Sequence, residues 1–481
     1  MALTFFAFLV FGVGPFLSAT GTLYFFLALT VFGAAAAVEF PALGGASAPP
    51  AASFLPYLVW RAFRTRGATP YLRRVPKSAV WLVTLVGWGV ASAIVVPRLL
   101  AGQVDILTID RSSAAFDVVL YPLRPVSGNI TQACYAICDL CVFLAVRELL
   151  AAPGRLGVFQ KAVFLLAGLD CFAAVLNVLE YYAGLPPILT YVRTGGYQIY
   201  DSYELGGLLR VQGTFAEASQ FATFTLPLFA FCFATWLYAP ERPRWSGPLA
   251  ALLLLMLLVS TSSTAYTGLI LYLGLLAAGR AMALLSRGLV PRVRTPAVAL
   301  GAIALLAVTV ALLNGDVFQR AVEYFDSVLI RKLETSSGED RMALNRQAWF
   351  NFVDTYGLGV GLGTARASSF PLVLISNLGV LGVLLFGGFL HALFARSPNP
   401  GWESNVVARA ARHALVAALF GAVASGFVFD LGVAFYAFAA AAATASAHEA
   451  VQARRTAVAP LGDHTEPAFD LAPDGALVAG R

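Results

Sequence analysis

The chain is a succession of apolar runs, most of them close to 20 residues long, separated by short polar joins. A run of about 20 residues is what an α-helix needs to cross a hydrocarbon layer ~30 Å thick. Little else can be built from such a segment, because in lipid every backbone amide must find its partner inside the protein. Charge is correspondingly scarce. Only 12% of the 481 residues are Asp, Glu, Lys or Arg, and 59% are hydrophobic, whereas a soluble domain carries about 25% charged residues. That shortage excludes a soluble enzyme, a disordered chain and a typical nucleic-acid binder. An all-α, polytopic transmembrane bundle remains.

Twelve spans are expected, near residues 2–17, 20–39, 79–99, 129–150, 160–182, 215–239, 247–261, 264–285, 296–314, 370–395, 410–429 and 431–448. The stretch 52–63 is apolar but too short to cross, and reads as an interfacial helix. Together these make one transmembrane domain over 1–449. The tail 450–481, rich in Ala, Pro and Asp, is expected to be disordered. The N-terminus is apolar from Ala2, with no basic leader and no small-residue cleavage site, so it reads as a retained first helix. Five cysteines (Cys134, Cys138, Cys141, Cys171 and Cys232) all lie in apolar runs. An odd, buried set is no disulfide framework, and the CxxC of Cys138 and Cys141 lacks the turn that redox or zinc sites need.

The net charge of +6 is a matter of topology. With the N-terminus in the cytoplasm, 21 of the 32 lysines and arginines fall in inside loops or the tail. The positive-inside rule therefore supports an even number of spans with both termini cytoplasmic. Three long segments face outward: 100–128, 183–214 and 315–369. In the last and largest, Phe318, Val322, Phe325 and Leu329 have the spacing of an amphipathic helix. Ser336 and Ser337 stand three residues before Glu339 and Asp340, the spacing of a capping box. A second helix should run through "EDRMALNRQAWFNFVDT" and stop at the glycines beyond it.

Arginines on the outer face oppose the topology rule and invite a reason. Arg193, Arg210, Arg331, Arg341, Arg346 and Arg366 are the candidates. A guanidinium fork binds phosphate oxygens bidentately, so convergent arginines suggest a phosphate ligand, whereas scattered ones are simply solvated or paired. Arg341 and Arg346 are five residues apart, some 140° around a helix, and so cannot point the same way. Glu217 stands at the outer start of an apolar span, where a carboxylate either complements the helix dipole or serves as a general base. The alternating Gly357, Gly359, Gly361 and Gly363 form no phosphate loop, because no Lys-Ser/Thr follows. They allow close approach of backbone or ligand. Asp139, Asp170 and Glu180 are scattered one per span and keep a transporter reading open. The four histidines, His391, His413, His448 and His464, are all assigned to the inner side or the bundle, which excludes histidine-based catalysis or metal binding on the outer face. No metal or cofactor is expected.

The ordered set "RVQGTFAEASQFA", "STSSTAYTGLI" and "SSGEDRMALNRQAW…YGLGVGLGTARASS…LISNLGVLG" resembles the O-antigen ligase/polymerase superfamily, bacterial inner-membrane glycosyltransferases of GT-C type. The resemblance covers roughly residues 205–390. Arg346, followed after ten residues by Gly357, is similar to the arginine-to-glycine loop motif of Wzy-type polymerases. Gly379 and Gly382 fit the family's Gly-x-x-Gly, but Ser368 and Ser369 stand where ligases carry a histidine pair. That departure points away from a lipopolysaccharide ligase and toward an exopolysaccharide or O-antigen polymerase. The resemblance implies inverting, metal-independent glycosyl transfer on the periplasmic side, from a glycan on undecaprenyl pyrophosphate to a hydroxyl of a lipid-linked repeat unit. Under it, Arg210, Arg341, Arg346 and Arg366 would hold the pyrophosphate and Glu217 would serve as base. A flippase and a chain-length regulator of the same pathway would be natural partners, alongside the bilayer itself. Ligase-like transfer to another acceptor, and a transporter of lipid-linked sugar, are the alternatives.

Overall fold

The computed structural model describes residues 2–40, 46–65, 75–109, 118–195, 204–205, 208–287, 336–395 and 402–444. The expected span 296–314, the amphipathic segment 318–329, Arg331, His448, His464 and the tail 450–481 lie outside the described residues. The rest is dominated by helices. Among the described residues six are long and apolar enough to cross a membrane: α4 (Lys77–Leu99), α6 (Arg155–Tyr182), α7 (Ala218–Tyr238), α9 (Ser263–Arg287), α11 (Phe370–Phe394) and the Val406–Ser425 portion of α12 (Trp402–Ser425). Four apolar helices are shorter: α1, which begins at Phe5 and continues as a 3-10 turn to Phe16, α2 (Ala19–Leu29), α8 (Ser246–Val259) and α13 (Val433–Thr444). α5 (Ser127–Leu150) is long enough to cross but more polar, with Asn129, Gln132 and Asp139 buried along it.

One expected span is half helix. The run 20–39 is helical only to Leu29 and then turns to end in a short strand, β2 (Val38–Phe40). The backbone between is satisfied by distant groups instead: Ala34 N–H donates to Thr214 O (3.0 Å), Ala36 N–H to Thr194 Oγ1 (3.1 Å), and Gly195 N–H to Ala34 O (2.8 Å). The stretch 52–63 is indeed helical, as α3 (Pro50–Thr65), and packs on α2 and α5.

α7 is the most enclosed of the long helices, and α6, α8, α9 and α12 pack against it. Phe231 on α7 meets Phe159 on α6 and Phe438 on α13 at ring-centroid distances of 6.3 and 5.6 Å. α7 and α12 run antiparallel: Arg409 lies over the Tyr238 ring at one end, and Gly421 faces Thr223 toward the other. Arg242, Arg280 and Arg412 join Arg409 near the same end, over Trp236, over Tyr238 and on Leu393 O respectively. The bundle thus has a basic end, and Glu217, at the other terminus of α7, marks the opposite one.

At that opposite end the alternating glycines enter the bundle. Gly357, Gly359, Gly361 and Gly363 all have positive φ, from +79° to +93°. α11 is interrupted at Gly379 (φ 64°), which frees backbone groups that lipid cannot satisfy. The glycine segment satisfies them: Val360 N–H donates to Ser376 O (2.8 Å), Gly361 N–H to Asn377 O (3.0 Å), and Val380 N–H to Gly357 O (2.9 Å). A Cβ on Gly359 would lie 2.7 Å from Asn377 O, and one on Gly361 2.7 Å from Ser92 O of α4. The glycines therefore serve close approach of backbone to backbone.

Gly361→Ala should accordingly lower stability by the cost of a left-handed alanine, roughly 1–2 kcal/mol, plus about 1–3 kcal/mol for overpacking. Gly154 has a similar φ of +74° but open space around its Cβ position, so Gly154→Ala should show the first cost alone. Equal shifts in melting temperature for the two purified variants would show that the segment is not wedged.

Candidate functional site

The non-basic end of α7 is fixed by the chain that leads into it. Asn177 Oδ1 on α6 accepts from Gln212 N–H (3.0 Å) and Gly213 N–H (3.2 Å). Arg193 is buried and donates through Nε to Gly213 O (2.9 Å), so this arginine, expected as a phosphate candidate, anchors the backbone. Glu217 is the extended residue immediately before α7, half-buried, and its Oε1 accepts from Ser219 Oγ. Its side chain makes no cap bond to the helix, but as the N-cap residue it stands where a negative charge complements the helix dipole.

The antiparallel register of α7 and α12 carries Ser425, four residues beyond Gly421, to the level of Ser219, four residues before Thr223. The turn 426–432 that follows α12 therefore begins beside the Glu217 end of α7. Gly426 packs on Phe370 at the start of α11, where a Cβ would lie 2.8 Å from the Phe370 Cβ. Arg341, on α10 (Ser336–Asp354), lies over the Phe427 ring at 5.4 Å. Asp430 Oδ1 accepts from Gly432 N–H (2.6 Å) in a left-handed turn, and its carboxyl lies close to that of Asp139 on α5. One short turn thus gathers contacts from α5, α10 and α11 and abuts α7.

α10 is held in place from below. Leu344, Ala348 and Asn351 form its buried face, Gln347 Nε2 donates to Asp105 O (2.7 Å), and Asn345 Oδ1 accepts from Ser368 N–H (2.8 Å). Asp105 begins β4 (Asp105–Ile109), which pairs antiparallel with β5 (Val118–Pro122). The segment past the glycines is clamped by Asn377. Its Oδ1 accepts from Thr364 and Ala365 N–H (3.1 and 3.2 Å) and its Nδ2 donates to Ala365 O (3.0 Å) and Val373 O (2.9 Å). Asn129 on α5 adds bonds to Leu362 O and Thr364 Oγ1, both 2.7 Å.

The expected residues divide accordingly. Arg341 is half-buried and turned toward the 426–432 turn, while Arg346 is exposed over Phe350 on another face of α10, as their 140° separation requires. Arg366 is half-buried directly after the Asn377 clamp, and Arg210 is half-buried just after β7 (Leu208–Leu209). Asp170 accepts from Thr225 Oγ1 (2.8 Å) and joins α6 to α7. Glu180 Oε1 accepts from Leu189 N–H (2.8 Å), a local turn bond. His413 contacts Tyr272 Oη (3.1 Å) among the arginines of the basic end. Sequence reasoning passed over Asp430, which sat in a one-residue join between two expected spans. Its signal was the Asp-x-Gly turn spacing inside an otherwise apolar stretch.

Chemically the arrangement offers a cation, Arg341, on the 426–432 turn, a carboxyl, Glu217, at the start of α7, and the buried Asp139–Asp430 pair. No group of three or more metal-ligating side chains occurs among the described residues. No protein-family model and no curated protein matches the sequence.

Asn377→Ala leaves two buried N–H groups without an acceptor, at about 1–3 kcal/mol each. It should lower the melting temperature of the detergent-solubilised protein and open the peptide bond after Arg366 to trypsin. Unchanged melting and protection would remove Asn377 as the clamp.

Proposed function

We propose that this chain is a Wzy-like polysaccharide polymerase of a bacterial inner membrane. In this reading twelve spans enclose it, both termini are cytoplasmic, and the end that carries Glu217 faces the periplasm. The observation that carries the reading is the contact of Arg341 with Phe427, in a turn that follows α12, the helix packed antiparallel against the α7 helix that Glu217 begins. The resemblance of residues 205–390 to the O-antigen ligase/polymerase superfamily supplies the reaction. A glycan on undecaprenyl pyrophosphate is the donor, and a hydroxyl of another lipid-linked repeat unit is the acceptor.

The chemistry asks two things of the protein. Negative charge grows on the pyrophosphate as the glycosidic bond lengthens, and a guanidinium placed there in advance stabilises it. Arg341 has that role, with Arg210 and Arg366 as further phosphate contacts from the neighbouring loops. Arg346, exposed on another face of α10, has no phosphate contact in this reading. Glu217 takes the proton of the acceptor hydroxyl, which attacks the anomeric carbon from the face opposite the leaving group and inverts it. Ser219, hydrogen-bonded to Glu217, orients the carboxylate. None of these steps calls for a metal.

A transporter of lipid-linked sugar is the second reading, favoured by the buried Asp139–Asp430 contact, since intramembrane carboxyls serve proton coupling in such proteins. The two readings separate in one assay. Purified protein given a synthetic pyrophosphate-linked repeat unit should produce a ladder of longer glycans. One transfer to a foreign lipid would indicate ligase activity, and movement of unaltered substrate across vesicles a transporter.

Within that assay Arg341→Ala should cut turnover by about 100-fold or more, the scale of losing one donor to a developing oxyanion. Glu217→Gln should cut it comparably, with normal melting behaviour. Near wild-type turnover in either variant would exclude that residue from the site.

A further inference from the structure

Beyond its half-buried site edge, α10 has a third side that packs on nothing described. Set around the helix at 100° per residue, Met342, Arg346, Trp349, Phe350 and Val353 fall within one stripe about 100° wide, and Tyr356 follows just past the helix end in a left-handed turn. All six are exposed: Trp349 is 51% exposed, Val353 50% and Tyr356 100%. The buried face of Leu344, Ala348, Asn351 and Thr355 lies opposite. Asp340, Gln347 and Asp354 share a polar edge between the two. An amphipathic helix in a soluble protein turns its apolar stripe inward. α10 has an apolar stripe turned outward as well.

We infer that this stripe lies in the bilayer, in the leaflet at the non-basic end of the bundle, and that α10 is an interfacial helix. Three observations choose lipid over other occupants. The stripe continues into the lipid-facing surface of a transmembrane helix: Tyr356 is followed by Gly357, whose Cβ position lies 3.1 Å from Val380 of α11, and Val380, Leu381 and Leu384 are all exposed. Its aromatic residues include Trp and Tyr, which concentrate at headgroup level because their rings are apolar and their N–H or O–H groups are wet. Its charge is also one-sided, with Arg346 in the middle of the stripe and Asp340 and Asp354 on the water edge. Arg346 then stands at the depth of anionic headgroups. The sequence had placed the whole of 315–369 as an outward-facing loop, so the inference moves this helix from water to the membrane surface. It does not depend on any transferase activity.

The test uses the full chain with its native cysteines. p-Benzoylphenylalanine is incorporated in place of Trp349, Val353 or Tyr356, with Asp354 as the water-edge control. The protein is reconstituted in nanodiscs of tritiated phosphatidylglycerol and phosphatidylethanolamine and irradiated. Lipid adducts are expected at 349, 353 and 356 and loss of them at 354. Cross-links to the chain's own peptides or to a second copy would overturn the inference by showing a protein cover. So would the absence of adducts at all three positions, or equal adducts at 354. The charge contribution is read separately: Arg346→Glu should reduce adducts with phosphatidylglycerol relative to phosphatidylethanolamine, and an unchanged ratio would remove Arg346 from the headgroup contact.

Discussion

The rest of the structure depends on how a broken helix is satisfied where water cannot reach. Interrupting α11 at Gly379 leaves N–H and C=O groups without partners, and each such group costs several kcal/mol in hydrocarbon. A second strand of backbone is the one neighbour that can meet them in register, and it can come close enough only if it has no side chains on the approaching side. The glycines at 357–363 meet that requirement. Their alternation puts residues without Cβ against Asn377 O and Ser92 O, and the residues between them, Val360 and Leu362, are fully buried. Once this segment is wedged, the end of α10 and the start of α11 are both fixed, and α10 has no freedom to leave the bundle.

That fixation is what brings Arg341 to the 426–432 turn. α10 is mostly polar and holds few apolar contacts of its own, with Leu344 and Ala348 as its main buried apolar residues. Its position comes from the clamps at its C-terminal side: Thr355 Oγ1 accepting from Gly359 N–H (2.9 Å), Asn345 accepting from Ser368, and Asn377 holding the loop between. Glu217 is located by unrelated means, through Asn177 and Arg193, which tie the 212–213 backbone to α6 and its following turn. Two independent sets of polar contacts therefore position Arg341 and the start of α7, and at this end of the bundle polar side chains do much of the positioning.

Much of this was legible in the sequence, and the failures have physical causes. Hydropathy located the long helices because a lipid-spanning helix is declared by its side chains. It misjudged 30–39 because Ala34–Ala37 are apolar yet bonded through their backbone to Thr4, Thr194, Gly195 and Thr214, a pattern no side-chain scale registers. The 140° between Arg341 and Arg346 followed from helix geometry alone. The alternating glycines announced a close approach but not its partner, since Ser92 is some 270 residues away from Gly361. Arg193 was misleading for a related reason: a buried guanidinium bonded to a carbonyl and a phosphate-binding one have the same sequence signal.

Asp430 shows where the limit of sequence reading lies. In the sequence it is one acid in a one-residue join, and Asp139 is one acid in the middle of an apolar helix. Neither position is interpretable alone, because an isolated carboxyl in lipid is costly and calls for a partner the sequence does not name. The turn after α12 supplies that partner by dipping toward the middle of α5, so that Asp430 reaches a residue twelve positions into a helix whose start is at the Asn129 clamp. The same dip places Phe427 under Arg341. The turn that brings Asp430 to Asp139 and the turn that seats Arg341 on Phe427 are thus one feature, and a change in its depth would alter both together.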